Sequence, residues 1–117
     1  SVIGSKLPQR QGVDLFLNGK SADALSSGEV SGIFRQNAKL YTVLVKDNDR
    51  VYLYGNLKEV SVAVGDQLTQ GVCVGLVDAG QANSNVLHFE IWDIKGSNAR
   101  ILGYAQTKSE IGISGPN

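Results

Sequence analysis

Short runs of Val, Ile, Leu, Tyr and Phe, broken every few residues by Gly, Asn, Asp or Ser, set the pattern of this chain. Within several runs apolar and polar positions alternate, the period of a strand that buries one face. No apolar stripe at helical spacing is sustained along the chain. The pattern predicts strands over residues 13–17, 29–34, 40–46, 51–54, 72–77 and 86–92. Asp47, Asn48 and Asp49 separate two of them and read as a hairpin turn, because Asn and Asp tolerate left-handed backbone. The small polar stretch 78–85 reads as a loop, and the Gly/Ser-rich residues 107–117 as a loose tail.

One stretch carries its own logic. Val62, Gly65, Asp66, Leu68 and Gly71 spell V-x-x-G-D-x-L-x-x-G. Glycines at two corners fold the chain back over a sheet edge, and Leu68 between them is placed to point inward. A looser version runs from Ala24 through Gly28 to Val30. Two related corners point to an internally duplicated β architecture.

Composition narrows the class. At 117 residues the chain suits one domain, 1–117, with 1–11 as a leader segment. A hydrophobic share of 42% against 19% charged is that of a globular chain. Lys plus Arg equals Asp plus Glu at 11 each, so no global field draws it to nucleic acid or an anionic membrane. No apolar stretch is long enough to cross a bilayer. The chain opens on Ser1, without a visible signal peptide, and reads as a mature or trimmed fragment. Cys73 is the single cysteine, lies between Val72 and Val74, and reads as a small buried hydrophobe rather than a reactive thiol.

The order of the pieces resembles the M23 (LytM-type) peptidoglycan endopeptidases. In that family a G-[VI]-D strand precedes a small-residue turn into G-x-V. A hairpin ending in Y-x-H-L follows, then V-x-x-G-x-x-V-x-x-G, then H-x-H-F-E. Here stand Gly12, Val13 and Asp14; Ala24 to Val30; Tyr54, Gly55, Asn56 and Leu57; the Val62 to Gly71 corner; and Val86, Leu87, His88, Phe89, Glu90, Ile91 and Trp92. Five pieces in order cover roughly 12–102 of the chain. The ending Phe89 to Trp92 also resembles the EnvC-type subgroup, whose members activate cell-wall amidases. The resemblance implies an all-β fold, an antiparallel β-sandwich or barrel-sandwich hybrid of the duplicated-hybrid-motif type.

It also implies a zinc hydrolase, and the residues here depart from one. A catalytic zinc needs about three protein ligands and an open position for water. The family draws ligands from H-x-x-x-D and the second His of H-x-H. Those positions are Arg10, Asp14 and His88. Arg has no lone pair for a metal and does not deprotonate in proteins. The two histidines the family uses for acid/base work fall on Asn56 and Val86, which cannot exchange a proton near neutral pH. His88 is the only histidine. Two ligand positions therefore survive as vestiges, Asp14 and His88, and Arg10 is placed to pair with Asp14. The bland alternative is a strand-edge aspartate and a half-buried strand histidine.

On one strand His88, Glu90 and Trp92 share a face, while Phe89 and Ile91 face the core. Glu90 and Trp92 read as an ordinary exposed face or as ligand contacts, since aromatic rings anchor sugars and proteins. No G-x-S-x-G frames Ser26, Ser27 or Ser61. The expectation is a cell-envelope module, exported and bacterial, without catalytic residues, metal or cofactor. It would bind an envelope protein such as an amidase, or peptidoglycan, through a groove of Arg10, Asp14, Tyr54, Asn56, His88, Glu90 and Trp92. Two alternatives stay open. One is a metal-dependent endopeptidase completed by another chain. The other is a biotinyl- or lipoyl-like carrier or adaptor, which shares the glycine corner but lacks its modifiable lysine motif here.

Overall fold

A computed structural model describes residues 12–77 and 85–112. Among the described residues nine strands and one short helix follow one another as β1 (Val13–Phe16), β2 (Ser21–Asp23), β3 (Gly28–Arg35), β4 (Tyr41–Asp47), β5 (Arg50–Val60), β6 (Gln67–Leu68), β7 (Cys73–Val77), β8 (Val86–Asp93), β9 (Arg100–Ile101) and α1 (Tyr104–Glu110). The architecture is all-β and every strand pairing is antiparallel. One path runs β1-β8-β5-β4-β3-β6, with β7 bridging β5 to β2 and β9 extending β8.

The six predicted strands all form, with shifted ends. The hairpin between β4 and β5 closes on Asp47 opposite Arg50, and Asn48 takes φ +54, as an Asn in such a turn can. The V-x-x-G-D-x-L-x-x-G corner also behaves as read. Gly65 and Gly71 adopt φ +97 and +96, where a Cβ would be strained, and Leu68 is buried. The two related corners bond to each other. Val30 N–H donates to Asp66 O, Gly65 N–H to Val30 O, and Gly71 N–H to Ala24 O.

Three expectations need correction. Strand β5 does not stop at Tyr54 but runs to Val60, because Gly55 and Asn56 form a bulge rather than a turn. The tail does not begin at residue 107: helix α1 reaches Glu110, and Thr107 is fully buried. A seven-residue helix is too short to show helical periodicity in sequence. Tertiary contacts hold it, with Thr107 buried and Arg50 gripping Glu110, while Thr107 Oγ1 donates to Gly103 O of the helix's own first turn at 2.8 Å. Cys73 is half-buried rather than buried, with Ser21 Oγ 3.2 Å from its sulfur. The leader 1–11, residues 78–84 of the expected loop and residues 113–117 lie outside the described residues.

Alternation along β8 builds the floor of the core. Leu87, Phe89 and Ile91 are each about fully buried, at 1%, 0% and 0% exposure. Phe89 meets Tyr54 edge-on, ring centroids 5.1 Å apart, and Tyr52 at 6.1 Å. Each such side chain contributes about 1.5–3 kcal/mol by leaving water. That packing fixes the register of β8 against β1 and β5, and a one-residue slip would turn His88 inward.

Candidate functional site

The opposite face of β8 carries Val86, His88, Glu90 and Trp92. Antiparallel pairing places Asp14 of β1 against His88 on one side and Gly55 of β5 against it on the other. The residues read as vestigial ligands therefore meet. His88 Nδ1 lies 2.8 Å from Asp14 Oδ1, and His88 Nε2 lies 2.7 Å from Glu90 Oε2. Trp92 Nε1 donates to the other oxygen of Glu90 at 2.8 Å. Asp14, His88, Glu90 and Trp92 thus form one continuous polar chain. An imidazole has two N–H groups only when protonated, so the charged ring is the form that donates to both carboxylates.

Glu90 is not the ordinary exposed side chain of the bland reading: the residue is only 8% exposed. Burial alone would raise its pKa, but the hydrogen bonds from His88 and Trp92 and the charge on His88 outweigh that and lower it. The G-V-D segment closes over it. Gly12 sits at φ +71, and a Cβ there would overlap the carbonyl of Phe89 and lie 2.7 Å from Glu90 Cγ. Glycine is required for β1 to pass this close.

Tyr54 does not join this polar chain. Its side chain is fully buried, and its hydroxyl accepts the Leu25 N–H at 2.9 Å. Burial pushes that hydroxyl up to about 12. Tyr54 faces the core because the residue beside it, Gly55, is the one paired with His88. Val86 is half-buried at the start of β8, opposite the 74% exposed Phe16. Arg10 lies outside the described residues.

Asn56 stands one residue beyond Gly55 at φ +68. Between the pairs Val43↔Tyr54 and Tyr41↔Leu57, only Thr42 opposes both Gly55 and Asn56. The bulge takes the Asn56 N–H off the ladder, and Gln36 Oε1 accepts it at 3.0 Å. Gln36 Nε2 returns a bond to Asn56 Oδ1 at 2.9 Å, and Thr42 Oγ1 donates to Gln36 at 3.1 Å. Sequence reasoning missed Gln36, Thr42 and Gly55. The Tyr54-to-Leu57 motif pointed at the spot, but no local signal named the β3–β4 hairpin as its neighbour.

The zinc implied by the sequence resemblance finds a poor fit. Asp14 stands at one nitrogen of His88, but the remaining ligand position of the family holds Arg10, which has no lone pair for a metal. Among the described residues no group of three or more His, Cys, Asp or Glu could hold a metal ion. What the site presents is a half-buried row of two carboxylates about one imidazole, with the Gln36–Asn56 amide pair near it.

Solved structures share this frame. Lysostaphin, the antimicrobial peptidase of Staphylococcus simulans, is 26% identical at a TM-score of 0.68 over 88% of this chain, which spans 45% of that one. CbpA of L. salivarius REN matches 92% of this chain and 81% of its own length at 22% identity and a TM-score of 0.68, a likeness of fold. A chain of the SpoIIQ-SpoIIIAH pore forming complex is 32% identical over 77% of this chain and 60% of its own, with a TM-score of 0.58. The chain thus spans under half the length of lysostaphin. No curated protein matches by sequence. The description Peptidase family M23 matches residues 8–100, most of the chain, including the strands that carry Asp14, Asn56 and His88, and the chain belongs to that family.

Proposed function

We propose that this is a non-catalytic M23 domain of the bacterial cell envelope that binds through the groove over His88. The carrying observation is that Asp14 and His88 come together while the family's remaining ligand position holds Arg10, a cation with no lone pair for a metal. A catalytic zinc needs about three protein ligands, and only two of the family's three positions keep a residue that can serve. Asn56 and Val86 at the acid/base positions point the same way. What occupies the groove is a partner protein, with regulation of an amidase as the role, or peptidoglycan. A relative that assembles in the SpoIIQ-SpoIIIAH complex supports the protein partner, and a peptidase relative such as lysostaphin supports a cell-wall ligand.

Two measurements test this. Purified chain dialysed against zinc should retain well under one equivalent by elemental analysis and leave peptidoglycan uncut. One equivalent of zinc together with hydrolysis, both abolished by Asp14→Ala or His88→Ala, would overturn the reading. Groove binding is tested at Gly55, where an added Cβ meets only ordinary contacts, 3.4 Å from Gln36 Oε1 and 3.5 Å from His88 Cβ. Gly55→Ala should keep the fold and lower sedimentation with peptidoglycan sacculi, or with a captured amidase, by up to about tenfold, the loss from blocking one well-packed contact. Undiminished binding of that variant to every ligand the wild type holds would place the binding surface elsewhere.

A further inference from the structure

The bulge opposite Thr42 creates a problem that one side chain solves. Bulges leave an extra residue unpaired and re-aim its side chain, and they gather beside functional sites. Here the extra residue is Asn56, held at a left-handed φ of +68 that Asn tolerates better than most side chains. Its backbone N–H has a side-chain acceptor, Gln36 Oε1, and its side-chain oxygen has a side-chain donor, Gln36 Nε2. One carboxamide therefore grips both the backbone and the tip of Asn56.

The grip is itself built. Gln36 begins the turn between β3 and β4, and its N–H donates to Leu40 O at 2.8 Å. Asn37 Oδ1 accepts the N–H groups of Lys39 and Leu40, which stitches the turn. Behind it Arg35 bonds Ala38 O and the Tyr41 hydroxyl and stacks on the Tyr41 ring at 4.9 Å. Thr42 fixes the Gln36 oxygen from below. Gly55 then leaves a gap with Gln36 on one side and His88 on the other.

We propose that Gln36 is a positioning residue of the groove: it holds the bulge and fixes the Asn56 carboxamide, one residue from the Gly55 that pairs with His88, as a hydrogen-bonding group for whatever the groove binds. This rests on the binding reading above, since Asn56 has a role there only if the groove is used. The β3–β4 turn is thereby one wall of the site.

Backbone amide exchange followed by NMR tests the inference without a ligand. In Gln36→Ala the Asn56 amide should exchange about five- to tenfold faster, the worth of one hydrogen bond, while the amides of Tyr54 and Phe89 keep their rates. Gln36→Glu retains an acceptor and should restore slow exchange at Asn56. An unchanged Asn56 rate in Gln36→Ala, or an increase spread evenly through the sheet, would overturn the proposal. Sedimentation with peptidoglycan sacculi adds a functional arm. Gln36→Ala and Asn56→Ala should each reduce binding, and the double variant should bind no worse than either, because both remove one device. Failure of the wild type to bind would count against the peptidoglycan branch of the groove reading, and the exchange data would still decide the role of Gln36.

Discussion

A carboxylate as enclosed as Glu90 is tolerated because both of its oxygens are occupied, one by the His88 imidazole and one by an indole N–H. Removing the charge should therefore cost more than at a surface position. Glu90→Gln is expected to lower stability by about 1–3 kcal/mol at neutral pH, since His88 and the amide no longer match. The pH dependence follows from the lowered folded-state pKa. The unfolded chain takes up the Glu90 proton first, near the ordinary value of 4.5, so the stability from this group is complete above that pH. It is lost as pH falls through the lower folded value. Urea unfolding of wild type and Glu90→Gln should show a gap that is present at about pH 5 and narrows as pH falls below about 4.5. A gap that widens in acid would contradict the assignment. The identity of these residues was legible in the sequence, as was the face they share. Their burial was not, because it depends on Gly12 crossing from a strand far away in the chain.

Helix α1 illustrates what short elements ask of their surroundings. Seven residues cannot hold a helix by propensity alone, so its anchors decide its stability. Thr107 is fully buried and its hydroxyl bonds Gly103 O, whereas the Arg50–Glu110 pair is 27% and 33% exposed. Buried hydrogen bonds are worth more than solvated ion pairs. Thr107→Val should destabilise the domain by about 1 kcal/mol or somewhat more. Glu110→Gln should cost less than that, between about 0.2 and 1 kcal/mol, and only at low salt. Denaturation of the two variants side by side ranks the anchors, and an equal or reversed order would show that α1 is held by charge. The same lesson applies to β5. Gly55 and Asn56 look like a strand breaker in one dimension and become a bulge only because Gln36 and Thr42 supply the bonds the ladder lacks.

Across the whole molecule the site is assembled from the ends inward, with Val13 of β1 paired to Phe89 of β8 and Gly28 of β3 to Leu68 of β6. Such distant pairings make folding slow for a domain of this size. Refolding followed by the single tryptophan, Trp92, should take between about a millisecond and a second, and microsecond folding would be inconsistent with this topology. What the sequence by itself determined is what local chemistry can impose. It includes the alternating strands, the glycine corners at 65 and 71, the Asn48 turn, and the substitution of Arg10, Asn56 and Val86 where a zinc hydrolase has histidines. Those follow from side-chain type and spacing over a few residues. Only the tertiary structure decided that Tyr54 belongs to the core, that Glu90 closes the far side of His88, and that Gln36 reaches Asn56. Each depends on the register between strands distant in the chain. Register is set by the collective burial of Phe89, Tyr54 and their neighbours, which no local stretch of residues encodes.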